Sequence, residues 1–418
     1  MRALFGAAAV GVIGIALSAC GDSSSPTSSS NGGMTAQPTG GSASGTGGTP
    51  GRSGAGSTMG GAAGVATTGG APPAASGAAG ASVSGTGGSS QSGGGGGGTG
   101  GGAGAADQTI VPDPSWTCGK PSGIVAPTRG KLLLNAKLEL GDAHDVGATP
   151  LGHRRVLDVK GGSFSGERLK ATVLTGGLEL ELKLSSGATE LEQLHVLRAE
   201  DGTLLHLRSC GVAPAGDAVV RIVPQFEVSQ TSSLAWLGEA DLVGTRTVDA
   251  VSGAVELAIY DVAEVPVTEP TLTLKDPSGE PQQTWDCVTA QGSQGASVFT
   301  ETVTLGASLS VGQGKNGTRN IIPITGGTVS GRLQGKVLPG GADYQLTSGA
   351  TRLDARYTLA ASDGELVLVR NCGAFGALIP IFEARAAGPY AFLNENEFLS
   401  SDPGSAAGGV SITFYERN

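Results

Sequence analysis

Tyr344 and Tyr357 are the side chains whose type and position could best support chemistry on a small molecule. Tyr357 lies in TRLDARYTL (351–359), where apolar and charged residues alternate, and Tyr344 lies in ADYQL (342–346). Alternation with a period of two is typical of a strand with one buried face, and it predicts that both phenols point inward. Two inward phenols could line the polar end of a pocket, or they could be core aromatics with satisfied hydroxyls.

Three charged residues are further candidates for ligand contact or proton transfer. Asp343 immediately precedes Tyr344, and a carboxylate beside a phenol can act as a general acid or base. Arg319 and Glu383 lie beside apolar strand segments, where they could contact a ligand or serve the fold. The charged residues on the other face of 351–359 are expected to form a solvated ladder of little energetic value. They are Arg352, Asp354 and Arg356.

The histidines predict no metal site. His195 should point inward, and His206 lies on the next strand of the same hairpin. They form a close pair if the EDG turn places them opposite each other, and they lie on opposite faces if a three-residue turn shifts the register. His144 and His153 offer no matching third ligand, so no metal is expected. The sequence also contains no serine elbow and no phosphate-binding glycine loop before a helix, so no cofactor is expected and no catalytic residue is assigned.

The part of the chain that holds these residues is a tandem duplication. SSGATELEQLHVLRAEDGTLLHLRSCG (185–211) aligns without a gap with TSGATRLDARYTLAASDGELVLVRNCG (347–373). Flanking motifs extend the copies to 112–264 and 284–418, and a Pro-rich polar connector occupies 265–283. The duplication predicts two similar domains.

The two copies differ at the candidate site residues. Arg319 and Glu383 are matched in the first copy, whereas Asp343 and the two tyrosines are replaced there. Ligand binding is therefore predicted in 284–418, with 112–264 as a spacer or packing partner. The matched pairs are Arg319/Arg154 and Glu383/Glu227, and the replaced pairs are Asp343/Glu179, Tyr344/Leu180 and Tyr357/His195.

Short antiparallel strands are the predicted elements of both copies. LELELKL (178–184) alternates leucines with charged residues, and turn signals such as EDG (200–202) and SDG (362–364) recur at short intervals. No segment of the two copies has a helical period over three turns. About eight short strands per copy favour an antiparallel barrel or a sandwich.

Four of the five cysteines are predicted to form disulfides. Each copy has one cysteine after its opening tryptophan and one at the end of the RSCG or RNCG strand. Paired thiols become disulfides in an exported protein, and three pairings are possible. The duplication favours one disulfide per copy over a zinc site or a catalytic thiol. The favoured pairs are Cys118–Cys210 and Cys287–Cys372.

The N-terminal segment predicts export and membrane attachment. Residues 1–19 have the charged and apolar regions of a signal peptide, and LSAC (17–20) resembles the bacterial lipobox, which predicts a lipid on Cys20. Residues 20–111 are rich in Gly, Ser, Ala and Thr and are predicted to be a disordered tether. The expected location is the bacterial cell envelope, with the outer membrane or cell surface favoured over the inner membrane. The formal net charge of -10 and the absence of a basic stripe argue against nucleic acid as a partner.

The second copy resembles the bacterial and fungal domain of unknown function 3237 family. The resemblance covers nearly all of 297–417 and rests on RNIIPITGGTVSG, GKVLPGGADYQL, LDARYTL and the IFEA segment. The first copy resembles a degenerate version of the same domain, in which ARY (355–357) becomes QLH (193–195). The resemblance implies a closed antiparallel β-barrel with a central cavity in each copy. The fold expectation is therefore all-β, with two tandem barrels after a signal peptide and a tether.

Three functions are compatible with this organisation. The favoured one is a membrane-anchored lipoprotein whose barrels bind a small apolar or aromatic molecule, or a partner, without catalysis. The first alternative is a lyase, isomerase or cyclase acting in the second barrel, where Tyr344, Tyr357, Asp343 or Glu383 would move protons. The second alternative is a structural or adhesive envelope component with filled barrels. The volume and lining of the second barrel's interior distinguish these functions.

Overall fold

The computed structural model describes residues 107–249 and 251–418, and these residues fold almost entirely into strands. The predicted signal peptide, Cys20 and the tether up to residue 106 lie outside the described residues. The strands before the connector are β1 (Thr109–Val111), β2 (Lys131–Thr149), β3 (Gly152–Gly166), β4 (Lys170–Val173), β5 (Leu178–Lys183), β6 (Thr189–Ala199), β7 (Leu204–Ala213), β8 (Val220–Val228), β9 (Leu242–Val248) and β10 (Val255–Asp261). Those that follow are β11 (Thr271–Thr273), β12 (Gln294–Leu305), β13 (Leu309–Gly314), β14 (Gly317–Gly331), β15 (Gly335–Val337), β16 (Ala342–Ser348), β17 (Ala350–Ala361), β18 (Leu366–Ala374), β19 (Ala377–Ala384), β20 (Phe398–Ser400), β21 (Gly404–Ala406) and β22 (Gly409–Arg417).

Among the described residues, the remaining regular elements are short 3-10 turns at Pro127–Arg129, Ala235–Gly238 and Ala391–Glu395. Within the described part of the chain, no helix is long and apolar enough to span a membrane.

The first copy forms a closed antiparallel barrel. Its strands are hydrogen-bonded in the order β2-β10-β9-β8-β7-β6-β4-β3, and β3 pairs back with β2 to close the ring. Strand β5 bridges β3 and β6. Most of the inward positions are apolar, as the period-two pattern predicts, and residues such as Leu134, Leu197 and Ile222 form the core of this barrel. Strand β5 is an exception, because its leucines Leu178 and Leu180 pack outside this core, against Leu368 of the second copy.

The second copy repeats this strand order. The path β19-β18-β17-β15-β14-β12-β22-β20 is the equivalent of β8-β7-β6-β4-β3-β2-β10-β9 in the first copy. Its two end strands, β19 and β20, contact each other through side chains, because the ring centroids of Phe382 and Phe398 are 5.5 Å apart. Asn371 on the neighbouring β18 also donates a hydrogen bond to Ser400 on β20 over 2.9 Å. The prediction of an all-β chain with two tandem barrels is confirmed.

The segments that flank the first barrel pack against each other. Strand β1 pairs in parallel with β11 of the connector, so Thr109–Val111, predicted to belong to the disordered tether, is ordered. The predicted disulfides Cys118–Cys210 and Cys287–Cys372 are both formed, one in each copy. The opening tryptophans of the copies, Trp116 and Trp285, lie 4.5 Å apart between their ring centroids and are buried near the first disulfide.

Candidate functional site

A cavity of about 260 Å³ lies inside the second barrel. Most of its wall is aliphatic, because the inward positions of β12, β14 and β22 carry residues such as Val303, Ile324 and Ile412. The exposed ring of Phe375, in the turn between β18 and β19, lines the same cavity together with Pro403. The volume exceeds the roughly 150 Å³ of an apolar cavity that holds benzene.

Polar side chains meet at one part of this wall. Asp343 on β16, Ala355 on β17 and Asn371 on β18 are cross-strand neighbours, so their side chains share one face of the sheet. Tyr357 follows two positions after Ala355 and lies on the same face. Because Ala355 has only a methyl group, space remains between Asp343 and Asn371. The structure thus confirms the inward orientation predicted for Tyr357, and it places Asp343 beside the cavity.

Behind Tyr357 lies a buried acid that sequence reasoning missed. The Tyr357 hydroxyl donates a hydrogen bond to Glu301, which is fully buried on β12. Burial raises the pKa of Glu301 to about 8, although the hydrogen bond from Tyr357 lowers it. The signal was present in FTETV (299–303), because Glu301 occupies the inward position between Phe299 and Val303 of an alternating strand.

Asp343 is held by a chain of amides. Its carboxylate accepts hydrogen bonds from Gln345 Nε2 at 2.8 Å and from the backbone N–H of Asp354 at 3.1 Å. Gln345 in turn accepts from Asn320 at 3.2 Å. Burial raises the pKa of Asp343 to about 6, and the two hydrogen bonds to its carboxylate act against this rise. Asp343 therefore changes charge close to neutral pH.

Tyr344 is not in the barrel interior, and the prediction that it points inward is wrong. Asp343 and Gln345 face the cavity, so the intervening Tyr344 projects from the other face of β16. That face is covered by the first barrel, where Tyr344 packs on Leu194 and its ring lies 5.3 Å from the ring of His206. The outer face of β16 is covered by the first barrel, so the alternating pattern alone cannot show which face of this strand is the inner one.

Arg319 and Glu383 lie between the barrels rather than in the cavity. Arg319 of the second barrel pairs with Glu227 of the first, and Arg154 of the first pairs with Glu383 of the second through two bonds of 2.8 Å. The two ion pairs are equivalent, because each links the arginine of one copy to the glutamate of the other. The matched charges therefore serve the interface.

The predicted solvated ladder on β17 is also wrong for two of its three members. Arg356 is 3% exposed and pairs with Glu192 of the first barrel and with Asp354 at 3.0 Å. Asp354 also accepts from Arg370 at 3.0 Å. Burial opposes ionisation of both acids, but the neighbouring arginines outweigh it: the pKa of Glu192 lies at about 2 and that of Asp354 well below its usual range. Arg352 alone is exposed as predicted.

In the first barrel, described side chains fill the equivalent positions. Gln193 replaces Ala355 and donates to Glu179, the counterpart of Asp343, over 2.5 Å. Arg246 donates to the same carboxylate over 2.7 Å. His195, the counterpart of Tyr357, is fully buried beside them, and burial lowers its pKa to about 4, although the nearby Glu179 carboxylate acts in the other direction. Side chains thus occupy the volume that is open in the second barrel.

His195 on β6 and His206 on β7 lie on opposite faces of the hairpin that these two strands form. His195 is opposite Leu207 and His206 is opposite Val196, so the register is the shifted one of the two alternatives. His206 instead contacts Glu227 through Nδ1 at 3.2 Å.

Among the described residues, one group brings three potential metal-ligand atoms within 4.8 Å of one another: Cys287, Asp354 and Cys372. Both of its sulfurs belong to the disulfide, so the oxidised protein has no thiolate there to bind a metal.

Two antiparallel barrels, one of them with an internal cavity, define this chain as a tandem β-barrel protein. The model of the family described as Protein of unknown function (DUF3237) matches residues 129–265 and again residues 294–389, which together exceed half of the chain. The chain belongs to this family, as the resemblance of its second copy indicated.

Known relatives are similar to parts of the chain. A UPF0311 protein of Bradyrhizobium diazoefficiens is 44% identical over 78 residues, which are 18% of this chain and 51% of the relative. A UPF0311 protein of Clostridium acetobutylicum is 41% identical over 80 residues, again 18% of this chain and 51% of the relative. The chain spans about half the length of the curated relatives it matches.

Solved structures are similar at low identity. A protein of unknown function from Clostridium acetobutylicum is 19% identical with a TM-score of 0.29, and covers 31% of this chain and 96% of its own. A beta-barrel like protein from Acinetobacter baumannii is 22% identical with a TM-score of 0.28, and covers 32% and 94%. An enzyme from Penicillium herquei is 18% identical with a TM-score of 0.25, and covers 31% and 92%.

Proposed function

We propose that the second barrel binds a small, largely apolar molecule in its cavity, and that the first barrel supports it as a packing partner. The observation that carries this proposal is the cavity of about 260 Å³ with an aliphatic wall and one polar end. Ligand sites in proteins combine an apolar lining with a few converging polar groups, and this volume lies just below their usual range of roughly 300–1,000 Å³. A single ring with one or two substituents fits these dimensions.

Ala355 decides whether the cavity exists, and it provides the test. Ala355→Gln introduces the residue that fills the first barrel at Gln193, where it bonds the neighbouring carboxylate. Binding of toluene or phenol, measured by titration calorimetry, should be lost in Ala355→Gln. Ala360→Gln is the matched control, because Ala360 is half-buried on the other face of the same strand. The proposal is overturned if the wild-type protein binds neither probe, or if Ala355→Gln binds both as well as the wild type does.

Proton transfer is the second candidate function. Asp343 faces the cavity with a pKa of about 6, and a general base works best when its pKa lies near the operating pH. The substrate would be a molecule with an acidic C–H bond, such as a ketone. The test is exchange of deuterium from D₂O into cyclohexanone, followed by NMR: exchange should exceed that in buffer and should be lost in Asp343→Asn. No excess over buffer would remove this candidate.

We also propose that the barrels are held at a membrane of the cell envelope by a lipid on Cys20. The support is the LSAC sequence at 17–20 after an apolar segment, followed by a long Gly-rich stretch. Mass spectrometry of the mature N-terminus should find a lipid-modified Cys20, and Cys20→Ala should release the protein into the soluble fraction. A mature N-terminus that begins elsewhere would refute the anchor.

A further inference from the structure

We propose that the ligand of the second barrel carries a hydroxyl or amino hydrogen that it donates to the polar end of the cavity, and that the cavity rejects carboxylates. The inference rests on the proposed binding function and adds the chemistry of the group by which the ligand is recognised. The basis for this inference is the set of donor hydrogens and acceptor lone pairs of the polar wall that are not already used in hydrogen bonds within the protein.

Asn371 presents an unpartnered carbonyl oxygen. Its Nδ2 donates to the Ser400 hydroxyl over 2.9 Å, and that hydroxyl donates its single hydrogen to the Ser401 carbonyl over 2.8 Å. Ser400 can therefore only accept from Asn371, which fixes the orientation of the amide. None of the described residues donates a hydrogen bond to Oδ1, although Asn371 is 2% exposed and lines the cavity. A buried acceptor without a partner destabilises the protein. A ligand that donates a hydrogen bond to it therefore gains more binding free energy than a ligand whose hydrogen bond only replaces one made to water.

The other polar groups of the wall also present lone pairs. Tyr357 gives its hydroxyl hydrogen to Glu301, so its oxygen remains an acceptor toward the cavity. Asp343 accepts two hydrogen bonds and, as a carboxylate, has lone pairs for about two more. Gln345 and Asn371 each use one of their two amide hydrogens, on Asp343 and on Ser400, so each contributes one spare donor. Acceptors therefore outnumber donors around the cavity.

The charge of the cavity wall also favours a neutral donor over an anion. Asp343 is an acid, and none of the described side chains that line the cavity is cationic. Glu301, directly behind Tyr357, is a neutral carboxyl at pH 7 and supplies no positive charge either. A ligand carboxylate would be buried without a counter-charge, and this costs far more than burying a neutral hydroxyl. A neutral hydroxyl or amine meets both the shortage of donors and the absence of positive charge.

Three probes of similar size separate these properties: phenol donates a hydrogen bond, toluene does not, and benzoate is an anion. Titration calorimetry of the whole protein at pH 7.5 should give an affinity about tenfold higher for phenol than for toluene, the upper range of one neutral hydrogen bond. Benzoate should give no heat of binding at concentrations where phenol saturates. Because this comparison uses the unmodified protein, it does not depend on the folding of a variant.

Asn371→Ser, which introduces the residue of the first barrel at Ser209, assigns the effect to one atom. The shorter side chain should reduce the preference for phenol over toluene to less than about twofold while toluene affinity stays the same. Ser209→Ala changes the equivalent position of the first barrel and should leave the preference intact. Equal binding of phenol and toluene by the wild type, or binding of benzoate as tight as phenol, would overturn the inference but leave the binding function standing. Failure of both phenol and toluene to bind would overturn the binding function itself.

Discussion

Glu301 and Tyr357 form a contact in the second barrel that depends on the protonation of an acid. Glu301 is fully buried, none of the described residues places a cation next to it, and burial raises its pKa to about 8. A carboxyl in such a place is neutral at pH 7 and accepts the Tyr357 hydrogen bond without the cost of a buried charge. Ionisation at higher pH brings that cost back, so Glu301 links the stability of the cavity wall to pH.

The stability of the wild-type protein should therefore decrease as the pH rises toward 8. The folded pKa of Glu301 lies above the unfolded value, so the folded state holds the proton more tightly and the stability it contributes is lost as pH rises through the folded pKa. Glu301→Gln keeps an acceptor for Tyr357 but cannot ionise. Between pH 6 and 8, its free energy of unfolding, measured by urea denaturation, should fall by about 2 kcal/mol less than that of the wild type. Asp343 and Glu190, whose pKa values are also raised by burial, remain in both proteins and cancel in the comparison. Glu264→Gln, at an exposed position, is the control, and an unchanged slope in Glu301→Gln would contradict the assignment.

At the scale of strands, the sequence was sufficient to predict most of the fold. Period-two alternation, recurring turn signals and the duplication correctly predicted two antiparallel domains, each a barrel or a sandwich, and the family resemblance implied the barrel. The duplicated cysteines predicted both disulfides. These features are local or repeated, so a reader of the sequence needs no knowledge of distant contacts to find them.

The sequence could not reveal which face of a strand is the inner one when both faces are buried. Strand β16 has Asp343 toward the cavity and Tyr344 toward the first barrel, and residues from a distant part of the chain, such as Leu194, cover the tyrosine. Arg356 on β17 was predicted to be solvated for the same reason, because its partner Glu192 belongs to the other barrel. The candidate site was thus found only in part: Asp343 and Tyr357 line the cavity, whereas Asn371, in a motif singled out only for its cysteine, was missed.

At the scale of the whole molecule, the two barrels are arranged like the subunits of a symmetric dimer joined by a connector. In an isologous interface, residue i of one subunit contacts residue j of the other, and the reverse contact is also made. Arg154–Glu383 and Arg319–Glu227 have this relationship between the two copies. The central pairs, such as Glu192 with Arg356, lack an equivalent because the second copy has Arg356 where the first has Leu194. Divergence has therefore made each copy complementary to the other at the centre of the interface.

The interface should hold the barrels together without the connector. A protease site inserted at the exposed Ser278–Gly279 turn would cut the chain between the barrels, and size-exclusion chromatography should still show one complex. Glu227→Arg should make the cut protein dissociate, because Arg319, whose side chain is 11% exposed, would lose its carboxylate partner and face a like charge. Breaking a buried ion pair in this way costs about 3–5 kcal/mol, which corresponds to a more than 100-fold weaker association. Adding Arg319→Glu should restore much of the association, whereas Glu416→Arg, a charge reversal in the exposed pair with Arg332, should leave it unchanged. If the cut wild-type fragments separate, or if Glu227→Arg has no more effect than Glu416→Arg, the reciprocal ion pairs do not hold the barrels together.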